Sequence, residues 1–69
     1  MTDAAQAAVD LAELSSVSSV VADLRGRIVG VADRYHAIER DDIAGDLYEV
    51  ERALRTAERR LARAARQIP

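Results

Sequence analysis

Apolar residues recur at helical spacing in two separate stretches of this chain. Their steps alternate between three and four residues, which is the heptad repeat of helices that pack along a seam. The first seam is Leu14, Val17, Val21, Leu24, Ile28, Val31, Tyr35 and Ile38, and the second is Ile43, Leu47, Val50, Leu54, Ala57, Leu61, Ala64 and Ile68. The alternation typical of a β-strand is not sustained anywhere in the sequence. The pattern therefore predicts an all-α chain.

The two seams are out of register with each other, which predicts a turn between them. Tyr35 and Leu47 hold equivalent heptad positions, yet on one straight helix they would lie about 120° apart. A turn near residues 39–42 removes this mismatch, with Asp41 or Asp42 as the N-cap of the second helix. We expect one domain over 1–69, an antiparallel helical hairpin with a long helix, a short acidic turn and a second helix.

The charges alternate in blocks that favour the antiparallel arrangement. Residues 1–24 and 41–51 carry four and five acidic side chains and no basic one. Residues 25–40 carry four arginines and two acids, and residues 52–69 carry six arginines and one acid. Folding the chain back at the turn places opposite charges side by side, whereas parallel pairing would place like charges together.

The expected register can be written as pairs of residues on the two helices. The core pairs include Tyr35 with Val50, Ile28 with Ala57, Leu24 with Leu61 and Val17 with Ile68, and the edge pairs are Arg25 with Glu58 and Arg34 with Asp46. The same pairs could form within one chain or between two chains, and the sequence leaves both interpretations open.

Residues 1–14 extend beyond this predicted pairing as a helical segment capped by Thr2 or Asp3. Four serines between positions 15 and 19 weaken the helix and predict a hinge there. The segment then either continues the first helix or folds separately onto a partner. Gly26 and Gly30 lie near one helix face, and we expect another helix to approach closely at that point; the alternative is that they mark a break in the first helix.

The composition indicates that two such helices need a partner. The 69 residues include 14 alanines but no cysteine, phenylalanine or tryptophan, so the core must be built from small aliphatic side chains. A chain this short is marginal on its own. We expect a homo-oligomer, with a dimeric four-helix bundle favoured, and with Leu24, Ile28, Val31, Leu47, Leu54 and Leu61 carrying the association.

Composition also bears on origin and location. All ten basic residues are arginine, and with the high alanine content this usage is typical of a GC-rich bacterial genome. No apolar run is long enough to span a membrane, and Met1 is followed by no basic leader region. We therefore expect a cytoplasmic protein.

Catalytic chemistry has little support in the sequence. The single histidine, His36, lies between Asp33 and Glu39 at helical spacing, which is a pattern that can hold a metal. One histidine per chain and the neighbouring Arg34 and Arg40 argue against a metal site. We expect no enzyme activity, metal, cofactor or small-molecule substrate.

Arginines form a second feature along one outer face of the second helix: Arg52, Arg55, Arg59, Arg63 and Arg66. A stripe of this kind could bind an acidic protein or, less favoured at a net charge of −2, a nucleic acid. The sequence thus predicts a non-catalytic module for protein–protein interaction and oligomerisation. The alternative is a small regulatory protein that binds an anionic surface through these arginines.

Overall fold

Residues 3–69, the part of the chain described by this computed structural model, form two α-helices, α1 (Ala4–Ala37) and α2 (Asp41–Gln67). The helices pack against each other as an antiparallel pair, and the molecule is 53 Å long. The predicted all-α helical hairpin is confirmed.

The first helix begins as the sequence predicts. Asp3 is its N-cap, and the Asp3 carboxylate accepts a hydrogen bond of 2.8 Å from the backbone N–H of Gln6. Thr2, the other predicted cap, lies outside the described residues. α1 runs without a break through the serines at 15–19, so residues 4–14 continue the first helix.

The turn is a Schellman motif, which ends a helix with one residue in the left-handed conformation. Ile38 is the C-cap of α1, and Glu39 follows with φ of 62°. The Arg40 N–H donates to the Tyr35 carbonyl at 2.9 Å, and the Glu39 N–H donates to the His36 carbonyl at 3.0 Å. The chain therefore reverses without glycine or proline, and a glutamate holds a backbone conformation that favours glycine.

The second helix begins at Asp41, which is earlier than an N-cap at Asp41 or Asp42 would allow. Arg40 is the N-cap and makes no side-chain capping bond, so the prediction of Asp41 or Asp42 as N-cap is wrong. The reason is that the Schellman motif ends at Arg40, and α2 starts directly after it. Asp41 and Asp42 instead lie in the first turn, where they favourably face the helix dipole. Hydrogen bonds from the Arg40 guanidinium at 3.0 and 3.1 Å lower the pKa of Asp42.

The contact between the helices is rotated relative to the predicted seams. Leu14, Val21, Ile28 and Tyr35 are partly buried on α1, as are Leu47, Leu54, Leu61 and Ile68 on α2. Between them, however, the contact uses the neighbouring residues Ser18, Arg25 and Ala32 of α1 and Ala44, Glu51, Glu58 and Ala65 of α2. In the other half of each predicted seam, Val31, Ile43 and Ala57 stay partly buried, and the exposed residues are Val17, Leu24, Ile38, Val50 and Ala64.

This rotation has a physical reason. Ala32 and Ala44 are buried at 0% and 2% exposure, and such small side chains allow the helix backbones to approach closely. Arg25 also reaches two glutamates of α2 from its rotated position. Val50, the predicted core partner of Tyr35, and Val17, the predicted core partner of Ile68, are exposed and so do not lie in a buried core.

Candidate self-association surface

A cluster of charged side chains lies inside the helix contact, and we call it the Arg25 cluster: Arg25, Glu51, Arg55 and Glu58. Arg25 donates to Glu51 at 3.0 Å and to Glu58 at 2.7 Å, both across the contact. Arg55 donates to Glu51 at 2.7 Å from one turn further along α2. Glu51 is only 5% exposed. The hydrogen bonds from Arg55 and Arg25 outweigh its burial and lower its pKa, so it is ionised at neutral pH.

The Arg25 cluster is well placed to set the register of the hairpin. The predicted edge pair of Arg25 with Glu58 is confirmed, whereas the role of Glu51 was missed. One oxygen of Glu58, Oε1, is buried without a hydrogen-bond partner among the described residues. Because removing charges from water is costly, such a cluster contributes more to specificity than to net stability. The sequence does contain a signal for Glu51. It lies seven residues before Glu58, so both occupy the same heptad position beside the second seam.

The rotated contact leaves an apolar surface uncovered, which we call the open face: Val17, Leu24, Val31 and Ile38 of α1 with Leu47 and Val50 of α2. The four α1 residues recur every seven positions and so form one stripe. Val17, Leu24 and Val50 are each about two-fifths exposed, and Ile38 is 64% exposed. All six belong to the predicted seams; Val31 and Leu47 are partly buried and the other four are exposed.

The open face is concave where the two helices meet. A groove of about 300 Å³ is lined by Leu24, Ile28 and Val31 of α1 and Leu47 of α2, with Arg27 at its edge. A second depression of about 260 Å³ lies nearer the turn, between Arg34, Tyr35 and Ile38.

The interior of the hairpin is small in comparison. Among the described residues, the buried apolar side chains are those of Ala7, Ala32 and Ala44, and no large side chain is fully buried. Two helices that bury so little are marginal as an isolated unit. The leucines, valines and isoleucines of the seams remain partly or largely in water.

The arginine stripe of α2 is partly engaged within the chain. Arg52 pairs with Glu49, and Arg55 belongs to the Arg25 cluster. Arg59 donates to the Thr56 hydroxyl at 3.1 Å. Arg63 and Arg66 make no side-chain hydrogen bond within the described part of the chain. The stripe is therefore not a continuous row of available cations.

Polar residues near the turn are also paired. Tyr48 donates to Asp33 at 2.5 Å, and this bond, with burial as a smaller cause, raises the pKa of Tyr48. His36 Nδ1 lies 3.0 Å from an Asp41 oxygen, and both side chains are exposed. Over residues 3–69, no group of three or more side chains is arranged to hold a metal ion.

Two further predictions from the sequence differ from the structure. A Cβ atom on Gly26 would meet nothing within 4 Å, and one on Gly30 would approach only the Arg34 guanidinium, at 4.0 Å. The expected close approach of a helix at these glycines therefore does not occur within the chain. Arg34 and Asp46, the second predicted edge pair, form no ion pair in the described structure.

The fold and this surface define an all-α helical hairpin with an uncovered apolar face. No protein-family model matches the chain, and neither a curated protein nor a solved structure resembles it significantly. Neither α1 nor α2 has a stretch that is long and apolar enough to cross a membrane.

Proposed function

We propose that this protein is a non-catalytic helical module that self-associates through its open face. A second hairpin laid on that face completes a four-helix bundle, the common arrangement for two amphipathic hairpins. The observation that carries the proposal is that apolar heptad residues which the hairpin contact covers only in part line one groove.

Energetics support a partner for this groove. Burying apolar surface contributes roughly 25 cal/mol per Å², and the hairpin alone buries few of its large side chains. Covering Leu24, Val31 and Leu47 with the same residues of a second copy would give the bundle the core that one chain lacks. Alternating charge blocks along both helices are compatible with antiparallel neighbours throughout such a bundle.

The decisive experiment is sedimentation equilibrium over a range of concentrations, with circular dichroism on the same samples. Wild-type protein is expected to be a helical dimer that loses helicity as it dissociates. Leu24→Gln removes an apolar side chain from the groove and should shift the equilibrium strongly to monomer.

Leu11→Gln is a matched control for this variant. Leu11 and Leu24 are on the same helix and equally exposed, at 37% and 38%. Thirteen residues separate them, so they point roughly 140° apart around α1. Leu11→Gln should leave the dimer intact. A wild-type monomer, or equal loss of association in both variants, would overturn the proposal.

Salt separates this function from binding of an anion through the arginine stripe. Phosphate contacts weaken steeply as salt rises, whereas apolar association does not. We expect the dimer to persist from about 0.1 M to about 0.5 M NaCl. A monomer that binds a DNA duplex at low salt and releases it over this range would favour the alternative.

A further inference from the structure

Two charged residues flank the open face at the same level of the hairpin. Arg34 lines the depression beside Tyr35 and Ile38, and Asp46 lies one helical turn before Val50 on the same side of α2. The hydrogen bond between Asp33 and Tyr48 joins the two helices at this height along the hairpin. Arg34 follows Asp33 directly and Asp46 lies two residues before Tyr48, so the two charges are at nearly the same height. Both are exposed, and neither forms an ion pair within the described residues.

We infer that the second copy packs on the open face with both turns at the same end of the bundle, so that Arg34 of each chain pairs with Asp46 of the other. This inference rests on the proposed self-association. A two-fold axis parallel to the bundle keeps each residue at the same height in both copies. It also brings α1 of one copy beside α2 of the other. The pair of Arg34 with Asp46 then occurs twice per dimer.

The head-to-tail orientation satisfies these charges less well. In that orientation the two turns lie at opposite ends of the bundle, and α1 of one copy packs antiparallel against α1 of the other. When the two copies of α1 overlap over their full length, Arg34 faces residue 7, and Asp46 of the other copy lies at the opposite end of the bundle, out of reach of Arg34. Packing with both turns at the same end of the bundle also explains the predicted edge pair. Arg34 and Asp46 match in the sequence pattern but form no ion pair within the described part of the chain.

Charge exchange tests the pairing. Arg34→Glu and Asp46→Arg should each raise the dimer dissociation constant about tenfold, because two attractions become two repulsions. The double variant R34E/D46R should restore it to within about twofold of wild type. Arg63→Glu makes the same change in net charge on the outer side of α2 and should have little effect. Additive effects in the double variant would overturn the pairing.

Distance measurement tests the orientation independently. The chain has no cysteine, so Ala37→Cys gives a single site for a nitroxide label at the exposed end of α1. Labels in a same-direction dimer should lie about 20–30 Å apart, a few helix diameters. A head-to-tail dimer would separate them by about 40 Å or more. The long distance in an intact dimer overturns only the orientation, whereas a monomer at all concentrations overturns the proposed function as well.

Discussion

Arg25 of α1 holds the carboxylate of Glu51 of α2 at 3.0 Å, in the middle of a helix contact whose other members, apart from Glu58 and Tyr35, are small or aliphatic. Glu51 is more deeply buried than any leucine or isoleucine of the described chain. The hairpin thus places charge at its centre and leaves apolar residues at its surface. This inversion is understandable if the hairpin is half of a larger core.

Removing the cation from this cluster should destabilise the hairpin. Arg25→Met leaves Glu58 without its bonding partner and Glu51 with Arg55 alone. We expect the thermal midpoint, followed by circular dichroism, to fall by roughly 5–10 °C. The triple variant R25L/E51L/E58L should keep the wild-type midpoint or exceed it, since no charge is then left buried. An unchanged midpoint in Arg25→Met would show that the cluster does not hold the helices together.

Acid should weaken the hairpin through the same cluster. The bonds from Arg55 and Arg25 lower the pKa of Glu51 in the folded protein. A lowered pKa means that the unfolded chain binds the proton more readily, so the stabilisation is present at neutral pH. It is lost as the pH falls below about 4 and passes through the folded-state pKa.

Thermal unfolding between neutral pH and pH 2 measures this effect. The wild-type midpoint should fall with acid, and Glu51→Gln should show a lower midpoint at neutral pH and a shallower dependence. Asp42→Asn provides the comparison, because Asp42 also has a lowered pKa but lies at the exposed start of α2. If the pH dependence of Glu51→Gln matched that of wild type, another carboxylate would be responsible.

The heptad pattern was sufficient to predict two helices, their boundaries near the turn and the pair of Arg25 with Glu58. It did not predict which side of each seam faces the other helix. A stripe that includes Leu14, Val17 and Val21 is wider than one facing helix covers. Rotating α1 by about 50°, half of the angle between successive residues, replaces Val17 with Ser18 in the contact. Polar pairing of Arg25 and close packing at Ala32 determine the choice, and neither is visible in apolar periodicity.

The left-handed residue of the turn offers a direct gain in stability. Glu39 has φ of 62°, where a side chain's Cβ crowds the backbone and glycine is unstrained. Glu39→Gly should raise the free energy of unfolding by about 1 kcal/mol, measured by denaturant titration. Glu39→Ala removes the same carboxylate but keeps the Cβ, and should give no comparable gain. Equal gains from both variants would mean that charge, not backbone strain, is the cause.

The hydrogen bond between Tyr48 and Asp33 should be visible in an absorbance titration of the tyrosines. It raises the pKa of Tyr48 because the neutral hydroxyl is the donor, so this contact is kept at neutral pH. The contact is lost as the pH rises past the raised pKa. Asp33→Asn should move one of the two tyrosine transitions to lower pH. A titration unchanged by Asp33→Asn would show that the bond is not maintained in solution.

The glycines of the helices provide the last prediction. A Cβ on Gly26 or Gly45 would meet nothing within 4 Å, so Gly26→Ala and Gly45→Ala should each raise the free energy of unfolding by about 1 kcal/mol. Gly26 is two residues from Leu24 and so points roughly 160° away from it around α1. In the bundle that we propose, both variants therefore keep the wild-type dissociation constant in sedimentation. Weaker association in Gly26→Ala, but not in Gly45→Ala, would place the second helix against Gly26 and not on the open face.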